Sequence, residues 1–282
     1  MDMDPRFLRT FVTVARLESF SAAARELGYT QSGVSQHVAA LEADLGLTLL
    51  HRRPVTPTEA GARLLEHAGA ILLRLDAARA EVVRTASGPP GRAHVGATPL
   101  SVVAAARALA AARRTLPAVE TTVRVGERDA IAVAVATGDL DAGIVDGLAA
   151  PGDPLRLPDT GLPVAEFVEE PLAIALPPRH PLAKRRAGLR LEDLVDARWI
   201  EAPGVITSLA SLAMHARAEG FRPALRYDGL DVGGLLALVE AGEGLALLPA
   251  RVVEHGVALA SPALVHRTEL LAPEGTALRL VS

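Results

Sequence analysis

Apolar residues recur at helical spacing through the first third of the chain. From Pro5 to Leu17 the set Phe7, Leu8, Phe11, Val12, Val14 and Ala15 shares one face, and Pro5 suits a first helical turn. Ser19 or Ser21 is placed to cap a second helix running to about Leu27. Gly28 then supplies the left-handed residue that ends it. A third helix is predicted from near Ser32, burying Val34, Val38, Leu41 and Leu45. "LTLLHRRPVTPT" reads as a short two-stranded wing whose pairing is limited by Pro54 and Pro57.

Thr58 to about Ala86 reads as one long helix, with Thr58 at its N-cap and Gly61 in its first turn. Leu64, Ala68, Ile71, Leu75, Ala78 and Val82 step by 4, 3, 4, 3, 4 along it, a heptad seam flanked by Arg63, Glu66, Arg74, Asp76, Arg79 and Glu81. Such a seam either packs on its own domain or pairs two chains. Its narrowness favours pairing. "TASGPPGR" (85–92) ends the helix as a linker.

From Ala93 the pattern changes to short apolar runs alternating with helical segments. Strands are expected at "AHVGA", "VETTVRV" (119–125) and "LDAGIV" (140–145), with helices over 100–114 and 128–137. A connection rich in proline and glycine follows. A second unit then offers strands at 171–177, 198–202, 224–229 and 244–249, with helices near 207–218 and 231–241. Strand–helix–strand repetition implies parallel sheets, and two such lobes bind a ligand in the cleft between them. Thr98 and Ser101 fall at the carboxyl end of the first strand, and Thr207 and Ser208 at a helix start in the second lobe. Hydroxyls and a helix dipole there favour a small, weakly polar or mono-anionic ligand. Neither segment carries an arginine, which argues against a phosphorylated one.

Composition narrows the classes further. The 282 residues allow about two domains. Half are hydrophobic but only 3% aromatic, so the cores must be built from Ala, Val and Leu. With no cysteine there is no disulfide, thiolate metal site or cysteine nucleophile, a usage that fits a reducing cytosol. "MDMDPRFLRT" is acidic and lacks the apolar run of a signal peptide, and no run of about 18 apolar residues offers a membrane span. The net charge of −4 gives no basic signal for nucleic acid. Catalysis finds little support. There is no G-x-S-x-G, P-loop or H-E-x-x-H. "GEG" (242–244) precedes a strand instead of following one, and the eight histidines lack ligand spacing. Adjacent Glu169 and Glu170 point to opposite faces of a strand. No cofactor or metal is expected.

Residues 21–42, "SAAARELGYTQSGVSQHVAALE", meet the requirements of a helix-turn-helix. Ala23 and Ala24 are small where the helices meet, Gly28 turns, and Val34 and Val38 hold the second helix down. Its free face carries Ser32, Ser35 and Gln36, with Gln31 and His37 at the margins. Gln pairs bidentately with adenine in the major groove, and Ser reaches bases or phosphates.

Residues 7–65 resemble the N-terminal domain of LysR-type transcriptional regulators. The resemblance rests on "FLRTFVTVARLESFSAAARELGYTQSGVSQHVAALEADLGLTLLHR" followed by "TPTEAGARLL". It continues in "HPLA" (180–183), "LEDLVDARWI" (191–200) and "LALVEAGEGLALLP" (236–249). The resemblance implies an α/β chain with an N-terminal winged helix-turn-helix (1–57), a long linker helix for dimerisation (58–90) and an effector domain (91–282). That domain would be two-lobed, of the periplasmic-binding-protein-like type 2, with its second lobe at about 165–262. It also implies a cytoplasmic, bacterial protein that is not an enzyme. Its partners would be double-stranded promoter DNA, a small-molecule effector, further copies of itself as homodimer or homotetramer, and RNA polymerase. Gln31, Ser32, Ser35 and Gln36 take the recognition positions, with His37 beside them. Arg52, Arg53 and Thr58 follow at the wing and linker start. The chain departs from the pattern in a wing about two residues shorter, in Gln36 where many relatives carry Arg, and in stopping at "ALRLVS", where a final helix of the first lobe would begin. The alternative is a solute-binding or enzymatic α/β domain whose N-terminal helices only oligomerise.

Overall fold

The computed structural model describes residues 3–86, 91–114, 117–185, 187–217, 220–273 and 278. The chain divides into two units, Met1–Ala80 and Glu81–Ser282. The middle of the "TASGPPGR" linker and most of the C-terminal "ALRLVS" lie outside the described residues.

The first unit contains α1 (Pro5–Leu17), α2 (Phe20–Leu27), α3 (Gln31–Leu45) and most of α4 (Glu59–Ala86). Each helix starts where a side chain can accept an otherwise unpaired first-turn N–H. Asp4 accepts from Arg6, Ser19 from Ala22 and Thr30 from Gly33. Ser19, not Ser21, therefore caps α2. Gly28 and Gly46 end α2 and α3 at φ of 70° and 68°, backbone that a side chain would strain. Leu8, Phe11, Val14, Ala23, Val34, Val38 and Leu41 form the core. Leu45 only packs at its edge.

The wing is reduced to one antiparallel bridge, Leu50 with Pro57, flanked by His51 N to Thr56 O (2.8 Å) and Thr58 N to Leu49 O (2.9 Å). The prolines at 54 and 57 remove the donors that a longer ladder would need. Thr58 does cap α4, its Oγ1 accepting from Gly61 N at 3.0 Å. A Cβ on Gly61 would stand 2.0 Å from the Leu49 carbonyl oxygen. The wing thus crosses the helix directly against glycine backbone.

The second unit contains β1 (Arg92–Ala97), α5 (Val102–Ala112), β2 (Glu120–Val125), α6 (Arg128–Thr137) and β3 (Ala142–Ala149). It continues with β4 (Val164–Ala175), β5 (Leu189–Arg190), β6 (Trp199–Glu201), α7 (Leu209–Ala216) and β7 (Pro223–Arg226). α8 (Val232–Glu240), β8 (Ala246–Pro249), β9 (Gly256–Ser261) and β10 (Val265–Leu271) complete it. β1 pairs β2 and β3 in parallel, as strand–helix–strand repetition requires.

The lobes are not separate parallel sheets, however. β10 runs antiparallel between β3 and β4, and the far half of β4 pairs antiparallel with β8 and β9. One sheet, ordered β2-β1-β3-β10-β4-β9-β5, spans both lobes. β10 and the first half of β4 do not follow from the sequence pattern. These stretches, "VAEFVEE" and "VHRTELL", carry charge at nearly every other position and look like exposed loop. In the structure the charges neutralise one another between strands.

Candidate DNA-binding and effector-binding sites

On α3 the expected recognition face is largely open. Gln31, Ser32 and Gln36 are exposed and Ser35 half-buried. Gln31 Oε1 accepts from Ser21 Oγ at 3.1 Å, and Ser32 Oγ lies 3.0 Å from the Thr30 cap. Both contacts orient short side chains without burying them. His37 does not belong to that face. Its ring lies between Phe7 and Tyr29, each 5.0 Å away, and Nδ1 lies 3.1 Å from Thr10 Oγ1. Its aromatic bulk closes the α1–α3 seam.

Two other expected contacts are internally occupied. Arg52 Nη2 donates to Glu42 Oε2 at 2.9 Å, and its guanidinium lies 4.9 Å from the centroid of the Phe20 ring. Glu42 Oε1 accepts from the amides of Leu49 and Leu50. Arg52 therefore braces the wing root, with about half its side chain still exposed. Thr58 Oγ1 donates to the Thr48 carbonyl at 2.7 Å, which spends its only proton inside the domain. Arg25 and Arg53 are exposed and, among the described residues, unpaired.

The α4 seam divides in two. Ala68 is wholly buried, and Leu64 packs against the same core of its own chain, where Leu72 joins them. Ala68 is thus removed from any surface that could meet a partner, because the helix-turn-helix core needs a lid. Beyond it Ile71 (45%), Leu75 (44%) and Val82 (68%) are exposed, as is Ala78. Exposed aliphatic residues repeating on one helix stripe signal an association surface.

In the second unit a cleft of about 280 Å³ opens between the lobes. Thr98, Thr207 and Ser208 line it, as expected from the sequence. Ser101 does not: it is fully buried, with Oγ 3.0 Å from the Thr98 carbonyl and 2.5 Å from that of Ile144. Its hydroxyl ties the turn after β1 to β3. Thr98 Oγ1 donates to Asp146 Oδ2 at 2.8 Å, so toward the cleft it offers a lone pair and not a proton. Ser208 Oγ accepts from Ser211 N at 3.1 Å and caps α7.

The sequence reading missed what faces these hydroxyls. α6 starts at the cleft and brings Arg128, although no arginine lies near Thr98 or Thr207 in sequence. Glu127, its N-cap, makes no side-chain cap hydrogen bond, so the first-turn amides of α6 stay open. A Cβ at Gly147 would stand 2.6 Å from Arg128 Nη1, so the missing side chain is what seats the guanidinium. Asp129, 3.3 Å from Arg128 Nε, is mostly exposed at the rim. The cleft thus has a donor end, Arg128 with the uncapped start of α6, and an acceptor end at Thr98 and Asp146.

Beneath Asp146 lies a charged layer where β3, β10 and β4 cross. His266 is fully buried, with Nδ1 2.8 Å from Glu170 Oε1 and Nε2 3.5 Å from Asp146 Oδ1. Glu170 also pairs with Arg251, whose Nη2 donates to the Leu100 carbonyl at 2.5 Å. Desolvation lowers the pKa of Arg251, Asp146 opposing the shift and Arg107 adding to it. On the next register Arg267 donates to Glu269 (2.6 Å) and Glu169 (2.8 Å) and covers the Phe167 ring. Burial works against the charge of Arg267, but these two carboxylates hold its pKa above the usual value. Glu169 and Glu170 do point to opposite faces, and each closes an ion pair.

The comparisons with known proteins agree with this architecture. Residues 5–62 match the family model described as bacterial regulatory helix-turn-helix protein, lysR family, and residues 86–281 match the LysR substrate binding domain. The chain is 32% identical over 257 residues to the uncharacterized HTH-type transcriptional regulator YnfL of Escherichia coli, covering 89% of this chain and 83% of that one. It is 32% identical over 249 residues to the small neutral protease regulatory protein of Streptomyces coelicolor, covering 86% of this chain and 72% of that one. In fold it is also similar to the crystal structure of full-length BenM, at TM-score 0.52 and 24% identity over 97% of this chain and 92% of that one. No helix of the described residues is long and apolar enough to cross a membrane. The two family models span almost the entire chain, so it belongs to the LysR family, as a transcriptional regulator that binds promoter DNA through its helix-turn-helix and a small-molecule effector through its two-lobed domain.

Proposed function

We propose that the effector is a small carboxylic acid that also carries a hydrogen-bond donor, such as a hydroxy or amino acid. The seat of Arg128 against Gly147, at the uncapped start of α6, carries this reading. A carboxylate gains charge-assisted hydrogen bonds from the guanidinium and from helix N-termini. Thr98 and Asp146 can only accept at the other end, so they select a ligand with a donor there. The volume of about 280 Å³ lies at the lower end of small-molecule pockets and suits a small ligand. The carboxylates at the rim and floor disfavour a phosphorylated ligand.

In this reading Gln31, Ser32, Ser35 and Gln36 contact base edges and phosphates, and Arg53 with Arg52 reaches the backbone at the wing. Two copies pair along Ile71, Leu75, Ala78 and Val82 of α4. Effector binding shifts the balance of lobe arrangements and so the spacing of the two helix-turn-helix units on DNA. The protein works in the cytoplasm, where its target DNA is, and performs no catalytic step.

Lactate and propionate test the effector class, because they differ by one hydroxyl. In titration calorimetry of the full chain, lactate is expected to bind at least tenfold tighter than propionate. Arg128→Gln should weaken lactate on the order of 10- to 100-fold, the cost of an unpaired carboxylate in a cleft. Equal binding of the two acids, or of lactate by wild type and variant, overturns this reading.

A further inference from the structure

Each ring nitrogen of His266 faces a carboxylate oxygen, Glu170 at 2.8 Å and Asp146 at 3.5 Å, and the side chain is wholly shielded from water. A neutral imidazole has one N–H and one lone pair. With the N–H donated to Glu170, the lone pair of Nε2 would face Asp146, and Nε2 has no other hydrogen-bond partner among the described residues. A buried lone pair against a buried carboxylate is unfavourable twice, by repulsion and by lost solvation. An imidazolium turns the same contact into attraction. The groups facing the ring agree. Asp146 comes from β3, Glu170 from β4, and Arg251 reaches Glu170 from the turn after β8. Arg267 and Glu269, on the ring's own strand, pair with each other and with Glu169. Without a proton on His266 this layer holds two more carboxylates than arginines, and with one the excess is halved.

We propose that His266 is a specificity-determining residue of the effector cleft: it holds a proton between Glu170 and Asp146 and so makes the cleft floor accept an anion. The inference rests on the cleft being a carboxylate site, as proposed above. Asp146 joins the two, because it lines the cleft and its other oxygen holds Thr98. A carboxylate held at the Arg128 end of the same cleft is repelled by an uncompensated Asp146, and pairing Asp146 with imidazolium relieves that repulsion. Without that proton the floor carries one more negative charge, and anion affinity is lower. By linkage, a bound anion must hold the proton on His266.

The test uses the full chain labelled with 15N in its histidine rings. Its resonance is identified as the one most protected from a soluble paramagnetic reagent, since the other seven histidines reach the surface at least in part, and by its absence in His266→Gln. Both ring nitrogens should carry protons. The protonated fraction should be higher in Arg128→Ala, which removes a cation from the cleft, and in wild type with lactate than in wild type alone. Lactate affinity should be on the order of five- to tenfold lower in His266→Gln, whose amide keeps a donor toward Glu170 but carries no charge, than in wild type. A lone pair on Nε2 throughout, or a protonated fraction that ignores Arg128→Ala, overturns the proposal even if His266→Gln fails to fold. If Arg128→Ala shifts His266 but lactate neither binds nor shifts it, the coupling of His266 to the cleft stands. The assignment of the cleft to a lactate-like carboxylate is then what fails.

Discussion

Gln36 and Arg52 stand on the same small domain and have opposite surroundings. Gln36 is exposed on α3 with its amide free to pair a base. Gln36→Ala should therefore leave stability unchanged, cost on the order of 1–3 kcal/mol of operator binding and relax preference at one base position. Arg52 is already paired to Glu42 and stacked on Phe20. Arg52→Ala should lower operator binding for all sequences and reduce the salt slope by about one charge. It should also lower thermal stability modestly, because the pair is half exposed and such contacts contribute about 1 kcal/mol or less. A salt-titrated shift assay beside a melting curve separates the two residues. A stability loss in Gln36→Ala, or none in Arg52→Ala, would contradict these surroundings.

Helix α4 is buried in its own domain along one part of its apolar stripe and exposed along the other, and single residues mark where one gives way to the other. At its start Gly61 admits the Leu49 carbonyl, which a Cβ would meet at 2.0 Å. Gly61→Ala must push the wing off the helix, so the melting transition of the first unit should fall by an amount corresponding to about 1–3 kcal/mol or more. An unshifted melt would show that the wing moves freely. Further on, Ala68 is buried in its own domain while Ile71 and Leu75 are exposed. Leu75→Asp should leave the isolated fold intact but place a charge in the paired seam, costing several kcal/mol of association. Light scattering should then report a smaller particle. Retention of the full mass would assign assembly to other surfaces. Heptad spacing marked both halves of this stripe alike. Only packing against Leu8, Phe11 and their neighbours removes Ala68 from the exposed stripe.

At the scale of the molecule, the sheet that runs through both lobes places the cleft between them directly above a buried charged layer. Gly147 lies on β3 between the two. Its missing side chain makes room for Arg128, and the group a methyl would strike is the flexible end of that arginine, with Leu155 next at 3.1 Å. Gly147→Ala should therefore turn the guanidinium out of the cleft at little cost to the fold. Lactate affinity should drop about as far as in Arg128→Gln, and operator binding without lactate should persist. Calorimetry beside a shift assay checks both halves. Undiminished lactate binding would place the anion elsewhere.

Local rules determined much of this protein from the sequence alone. Pro5 at a first turn, a serine at 19 or 21 before an apolar stripe and Gly28 after it mark the first helices and the turn between α2 and α3, because capping and left-handed backbone are decided within a few residues; the caps at Asp4 and Thr30 and the stop at Gly46 came with the structure. The alternation of β1, α5, β2, α6 and β3 was legible for the same reason, as was the placing of Thr98, Thr207 and Ser208 at a cleft. Only the tertiary structure decided the rest. His37 reads like a recognition residue until Phe7 and Tyr29 enclose it, and Ser101 like a ligand contact until Ile144 claims it. Arg128 is 30 residues from Thr98, and Asp146 a further 18. β10 and β4 look polar because the partners of Arg267 and His266 lie about 100 residues earlier, at Glu169 and Glu170. Charges become interior only when distant strands bring their counter-charges, and periodicity along one chain segment does not encode that meeting.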